Sequence, residues 1–139
     1  MPAIQKSIRI QEKTCKEIER IASESGKEFS SVVNELLDES VRMQRCPGIV
    51  FIEGAAGRRA RVAGTGIDVW ELITTFRSVD EYPNRLRQAY HWLTEQQISS
   101  ALCYYKAYPE EIDRLIKQNE ELTGEYLREN YPFLPTSNR

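Results

Sequence analysis

Gln5, Ser7 and Arg9 occupy alternate positions of the stretch "IQKSIRI", residues 4–10. Side chains alternate across an extended strand, so these three polar groups share one face and Ile4, Ile8 and Ile10 share the other. The chemistry of the polar face is distinctive. Arginine can make a bidentate contact to guanine, glutamine can do so to adenine, and serine can serve either. Lys6 interrupts the apolar series and offers a cation to a phosphate.

No other set of residues suggests chemistry. His91 is the single histidine, next to Trp92, and reads as structural. Cys15, Cys46 and Cys103 are odd in number and widely spaced, with no CxxC pair. Inert or buried thiols are therefore expected, not a zinc site or a disulfide framework. The Gly-rich segments "GAAG" and "AGTG" lack the Lys-Ser/Thr ending of a phosphate-binding loop. Glu110, Glu111 and Asp113 read as helix-start acids, which the helix dipole favours. The expectation is a protein that is not an enzyme and needs neither metal nor cofactor.

Bulk properties set the frame. A chain of 139 residues, 40% hydrophobic and 29% charged, suits one domain or two small ones in a soluble protein. No run approaches the roughly 18 apolar residues of a membrane span. The opening "MPAIQKSIRI" lacks the apolar core of a signal peptide, so a cytoplasmic location is expected. Residues 1–62 carry a balance of +2 and residues 63–139 one of -4, which reproduces the net -2. That asymmetry points to different partners for the two halves.

The elements that would position the strand follow from periodicity. "EKTCKEIERIASESG" places Cys15, Ile18, Ile21 and Ala22 on one helical stripe, ending at Gly26. "EFSSVVNELLDESVRMQR" repeats the pattern with Phe29, Val32, Val33, Leu36, Leu37 and Val41, and Pro47-Gly48 ends it. "IVFIE" and "RRARV" read as a hairpin around Gly54–Gly57. Further helices are expected over "IDVWELITTFRSV", through "NRLRQAYHW", and over "EQQISSALCYYKAY". A last one opens at Pro109. Ser78 with Glu81 and Thr94 with Gln97 have capping-box spacing. The end, "YPFLPTSNR", is expected to form a partly disordered tail.

One strand and two amphipathic helices cannot satisfy themselves, because the strand lacks a neighbour and both helices keep a wide apolar face. A symmetric dimer solves both problems. At this point residues 4–45 resemble the MetJ/Arc-type ribbon-helix-helix DNA-binding family, through "IQKSIRI", "CKEIERIA", "SGKEFSSVV" and "VVNELL". That family inserts a two-stranded ribbon into the major groove of double-stranded DNA. The resemblance implies that Gln5, Ser7 and Arg9 contact bases. Phosphates would then meet Lys6, Lys27 and the helix start at Phe29, Ser30 and Ser31. Ile8, Ile10, Ile18, Ile21, Val32, Val33, Leu36 and Leu37 would form the dimer core. Glu28 stands where the family usually has Ser or Thr.

Residues 47–117 resemble a second family, a domain of unknown function associated with VapB-type antitoxins. The likeness rests on Gly57–Arg59, Gly64-Thr65, Ile67 and Val69, on "LTEQQISSALCYY" and on "PEEID". Gly66 replaces an Arg the family often shows. The likeness implies a small helix-rich, helix-turn-helix-like domain working beside a toxin with a PIN-type nuclease domain. Lys106 is the single cation of "EQQISSALCYYKAY", poor electrostatics for a second DNA reader. Arg58, Arg59, Arg61, Tyr104, Tyr105 and Tyr108 are candidates for a partner surface, with a solvated hairpin and core tyrosines as alternatives.

The expected architecture is mainly α. A ribbon-helix-helix domain over 1–46 is followed by a hairpin and helical domain over 47–122, then a helix end and tail over 123–139. The expected function is a homodimeric repressor and antitoxin that binds its own operator and neutralises a nuclease-type toxin. A stand-alone regulator and a dimeric scaffold that does not touch DNA stay open.

Overall fold

A computed structural model describes residues 2–54, 57–130 and 132. Among them are six helices and one two-stranded antiparallel hairpin, so the protein is mainly helical. The chain forms two compact units, Met1–Arg42 and Met43–Arg139. That boundary falls inside the second helix, a few residues before the expected one at 46.

The first unit contains α1 (Glu12–Ser25) and most of α2 (Phe29–Arg45). Gly26 ends α1 with φ of 66°, a left-handed conformation in which a Cβ would be strained. Lys27 then donates its N–H to the Ala22 carbonyl at 3.0 Å, closing the helix end. Inside this unit Ile18, Ala22 and Val32 are buried against the half-buried Phe29 and Val33. The stretch 4–10 lies in no helix or strand of the single chain. A strand is defined by a hydrogen-bonded neighbour, and one copy of the chain offers none here.

The second unit is built around α3 (Val69–Ser78), which packs on α4 (Pro83–Ala89), α5 (Glu95–Ala107), α6 (Pro109–Asn130) and the hairpin. The hairpin strands are β1 (Ile49–Gly54) and β2 (Gly57–Val62), in the register Ile49↔Val62, Phe51↔Ala60 and Glu53↔Arg58. Alternation sends Ile49, Phe51, Ala60 and Val62 toward the core, where they meet Leu72, Ile73, Leu86, Ile98 and Ile112. Ala55 and Ala56, the tip of the expected turn, lie outside the described residues, as does the expected tail apart from Pro132.

Caps decide the helix starts. Thr94 and Gln97 form the expected capping box, with Gln97 N–H donating to Thr94 Oγ1 at 3.1 Å and the return bond at 2.9 Å. The other expected box is absent. Ser78 donates to the Thr75 carbonyl at 2.6 Å instead, and Asp80 and Glu81 sit at φ of 56° and 59°. Two consecutive left-handed residues cannot open a helix. Pro83 does so, since its fixed φ and missing N–H suit the first helical turn. An unforeseen capping box, Asp68 with Glu71, opens α3.

Gly48 shows how tightly the hairpin entry is held. Its φ is 94°, and a Cβ there would lie 2.5 Å from Ser100 Oγ. That hydroxyl donates to the Pro47 carbonyl at 2.8 Å, joining the segment after α2 to α5. No helix among the described residues is long and apolar enough to cross a membrane.

Candidate functional site

Seven of the eight residues expected to form a dimer core come together in the first unit. Ile8, Ile10, Ile18, Ile21, Val33, Leu36 and Leu37 line one groove of about 370 Å³, with Thr14 and Glu17 at its edge. Val32, the eighth, is buried in the small core with Ile18 and Ala22. The groove is open to water. Ile8 is 68% exposed and Leu37 53% exposed, and Val41 and Met43 continue an apolar line along α2. The helical spacing explains the geometry. Residues 33, 36 and 37 of α2 and 14, 17, 18 and 21 of α1 fall three or four apart, so each helix presents one stripe.

Gln5, Lys6, Ser7 and Arg9 are all exposed beside this groove-lining segment. At the start of α2, Val32 N–H donates to the Glu28 carbonyl at 3.1 Å. The N–H groups of Phe29, Ser30 and Ser31 precede the first helical bond and lack an intrahelical acceptor. Ser30 and Ser31 are exposed, whereas the Phe29 ring packs on the small core. Only its backbone is therefore suited to an anion. Lys27 makes an ion pair with Glu35 at 3.0 Å, so a phosphate contact would compete with that pair.

The charge of the first half resolves differently at this level. Within Met1–Arg42 there are seven Lys/Arg and eight Asp/Glu. The basic excess of residues 1–62 therefore comes from Arg45 and the hairpin arginines. The three hairpin arginines are paired internally, two of them sharing one carboxylate. Arg61 Nε donates to Asp68 Oδ1 at 2.9 Å. Arg59 Nε lies 3.2 Å from Asp68 Oδ2, close enough for a charge pair but at an angle that makes no hydrogen bond. Asp68 itself is 1% exposed and also accepts from Trp70 Nε1 at 3.2 Å. Alternation put Arg59 and Arg61 on one face of β2, and the first residue before α3 returns to meet them. Gly54, with no side chain, leaves room for the Arg59 guanidinium. Arg58 pairs across the hairpin with Glu53 at 3.2 Å.

The tyrosines also divide. Tyr104, a candidate for a partner surface with the core as its alternative, takes the core alternative and is fully buried. Its ring meets Phe51 edge-on at 6.2 Å and its hydroxyl donates to Glu111. A ring of that size at an inward position of α5 is worth more in the core than in water. Tyr105 accepts from Arg77 at 2.6 Å and donates to Asp113 at 2.9 Å. Tyr108 lies 4.9 Å from Tyr104, with the Arg45 guanidinium 5.5 Å from its ring. Among the described residues of this unit the exposed large aromatics are instead Tyr82 and Trp92, which lie outside the regular helices and carry no periodic signal. His91 is exposed and edge-on to Trp92 at 5.2 Å. Among the described residues no group of three or more His, Cys, Asp or Glu could hold a metal ion.

No family model, curated protein or solved structure matches this chain.

Asp68 anchors two guanidiniums, an indole and a helix start, so its loss has a measurable expectation. Asp68→Ala should destabilise the second unit by about 2–3 kcal/mol. That is below the cost of breaking a wholly buried pair, because both arginines keep contact with water. Asp68→Asn, which can still cap α3, should cost less. Urea unfolding followed by tryptophan fluorescence measures both. An Asp68→Ala chain as stable as wild type would refute the anchoring role.

Proposed function

We propose that the protein is a homodimeric, sequence-specific DNA-binding regulator of antitoxin type. One observation carries the reading. The first unit leaves a groove lined by Ile8, Ile10, Ile21, Leu36 and Leu37 open to water, and the strand-length segment that carries Ile8 and Ile10 lies in no strand. A second copy supplies cover for both. The two segments pair antiparallel about a two-fold axis, the isoleucines turn inward, and Gln5, Ser7 and Arg9 turn outward.

Such a ribbon fits the major groove, whose base edges these three side chain types can read. The start of α2 then approaches the backbone, where the N–H groups of Ser30 and Ser31 meet a phosphate. With near-balanced charge in this unit, affinity rests on Lys6, Arg9 and helix N–H groups rather than on a broad basic surface. The operator would be palindromic, mirroring the protein two-fold. The second unit would hold a protein partner, a PIN-type nuclease toxin, and block it sterically. Exposed Tyr82 and Trp92 are suited to anchoring such an interface, since aromatics concentrate binding energy. This antitoxin step rests on the resemblance of residues 47–117.

A mobility-shift series with the DNA upstream of the chain's own gene tests the reading. Arg9→Ala should weaken specific binding by roughly 10-fold or more, the loss expected for a bidentate base contact. Wild-type affinity should also fall steeply as salt rises. Unchanged binding by Arg9→Ala would remove the ribbon as the reader. Co-purification with the neighbouring gene's product tests the toxin step, and a neighbour that neither resembles a nuclease nor co-purifies would remove it.

A further inference from the structure

Cys46 and Cys103 are separated by 57 positions in sequence, yet their sulfurs lie 3.1 Å apart. Both belong to the second unit. Cys46 follows the last residue of α2 and is fully buried in the core. Cys103 stands on the exposed side of α5, and its sulfur also approaches the Arg45 carbonyl at 3.8 Å. A disulfide bond is about 2.05 Å long, so about 1 Å of approach separates the two thiols from bonding. Two packed thiols could be mere core filler. What distinguishes this pair is its asymmetry, with one cysteine exposed and the other fully buried in contact with it. Cys15 has no such neighbour and approaches Glu19 instead.

We propose that Cys46 and Cys103 are a reversible oxidation site, closing to a disulfide in response to small hydroperoxides. The steps balance. Cys103 attacks one peroxide oxygen, an S–O bond forms, the O–O bond breaks, and the departing oxygen leaves as water or alcohol. Cys103 is then a sulfenic acid. Cys46 attacks that sulfur, the S–S bond forms, the S–O bond breaks, and the hydroxide leaves as water with the Cys46 proton. Two thiols lose two electrons and two protons, and the peroxide takes up both. A thiol reductant reverses the bond by exchange.

Burial sets the order of events. It pushes the Cys46 thiol up to about 11, reinforced by the contact with Cys103 and opposed in part by the charge of Arg45. Cys46 is thus both hidden from solution and protonated at neutral pH. Cys103 meets the oxidant and Cys46 resolves the product. The bond would tie the segment leaving α2 to α5, across a long loop of chain, and so restrict the unfolded state.

The full chain carrying Cys15→Ser, reduced and then treated with hydrogen peroxide, tests this. Free thiols are blocked with N-ethylmaleimide under denaturing conditions and the digest is mapped by mass spectrometry. The expected product is a Cys46–Cys103 cross-linked peptide whose yield does not depend on protein concentration. The melting temperature should rise by on the order of 10 °C and return with dithiothreitol. In Cys46→Ser, Cys103 should run on to the sulfinic acid. Should that variant not fold, Cys103→Ser, changed at an exposed position, should show neither cross-link nor peroxide-induced rise in melting temperature. In the intact pair, sulfinic Cys103 beside an alkylated Cys46 would overturn the proposal. So would cross-links found only between separate chains.

Discussion

Burial of the apolar face of the first unit is the constraint on which the rest depends. Ile18, Ala22 and Val32 are the buried core of a unit some forty residues long. Units of that size seldom stand alone without a disulfide, a metal or a partner chain. The residues that could enlarge this core, Ile8, Ile21, Leu36 and Leu37, are instead at the surface around one groove. A second copy would convert that groove into an interior. It would also give residues 4–10 the neighbour that turns an isolated segment into a ribbon. On the proposed reading, readout of DNA by Gln5, Ser7 and Arg9 would depend on the hydrophobic burial behind them, since a ribbon would hold its polar face outward only with the isoleucines inside.

The second unit solves the same problem within one chain. Its core runs from Cys46 and the hairpin through α3 to α6. Polar groups that enter this core are paired: Asp68 with Arg59, Arg61 and Trp70, Tyr104 with Glu111, and Ser100 with Pro47. The hairpin arginines are thereby largely committed to the fold. A partner surface on this unit would have to rely on other groups, of which Tyr82 and Trp92 are the most prominent.

Local patterns were readable in the sequence and long-range pairings were not. The stripe of Ile18 and Ala22, the αL position of Gly26 and the Thr94–Gln97 box each follow from residues a few positions apart, and each lies where spacing put it. Ser78 and Glu81 have the same spacing as a true capping box, but Pro83 governs the start of α4. The alternation of β2 placed Arg59 and Arg61 together, yet nothing local said that Asp68 would turn back to hold them. Cys46 and Cys103 carry no motif, because their meeting is made by the packing of α5 against the hairpin entry. The apolar stripes of α1 and α2 were legible from helical period, whereas the choice of eight positions came with the ribbon-helix-helix resemblance, and seven of those eight line one groove. The cover of that groove was not legible, because periodicity does not say what lies opposite.

Everything proposed for the first unit requires a second copy to complete it. Sedimentation equilibrium on the full chain, beside a Leu37→Glu variant, tests this requirement most directly. Wild-type protein should sediment at twice the 16.1 kDa of the chain and the variant at the single-chain mass, with the second unit still folded by near-ultraviolet circular dichroism. A wild-type monomer with a folded first unit would contradict that requirement, as would a dimer indifferent to the charge at Leu37.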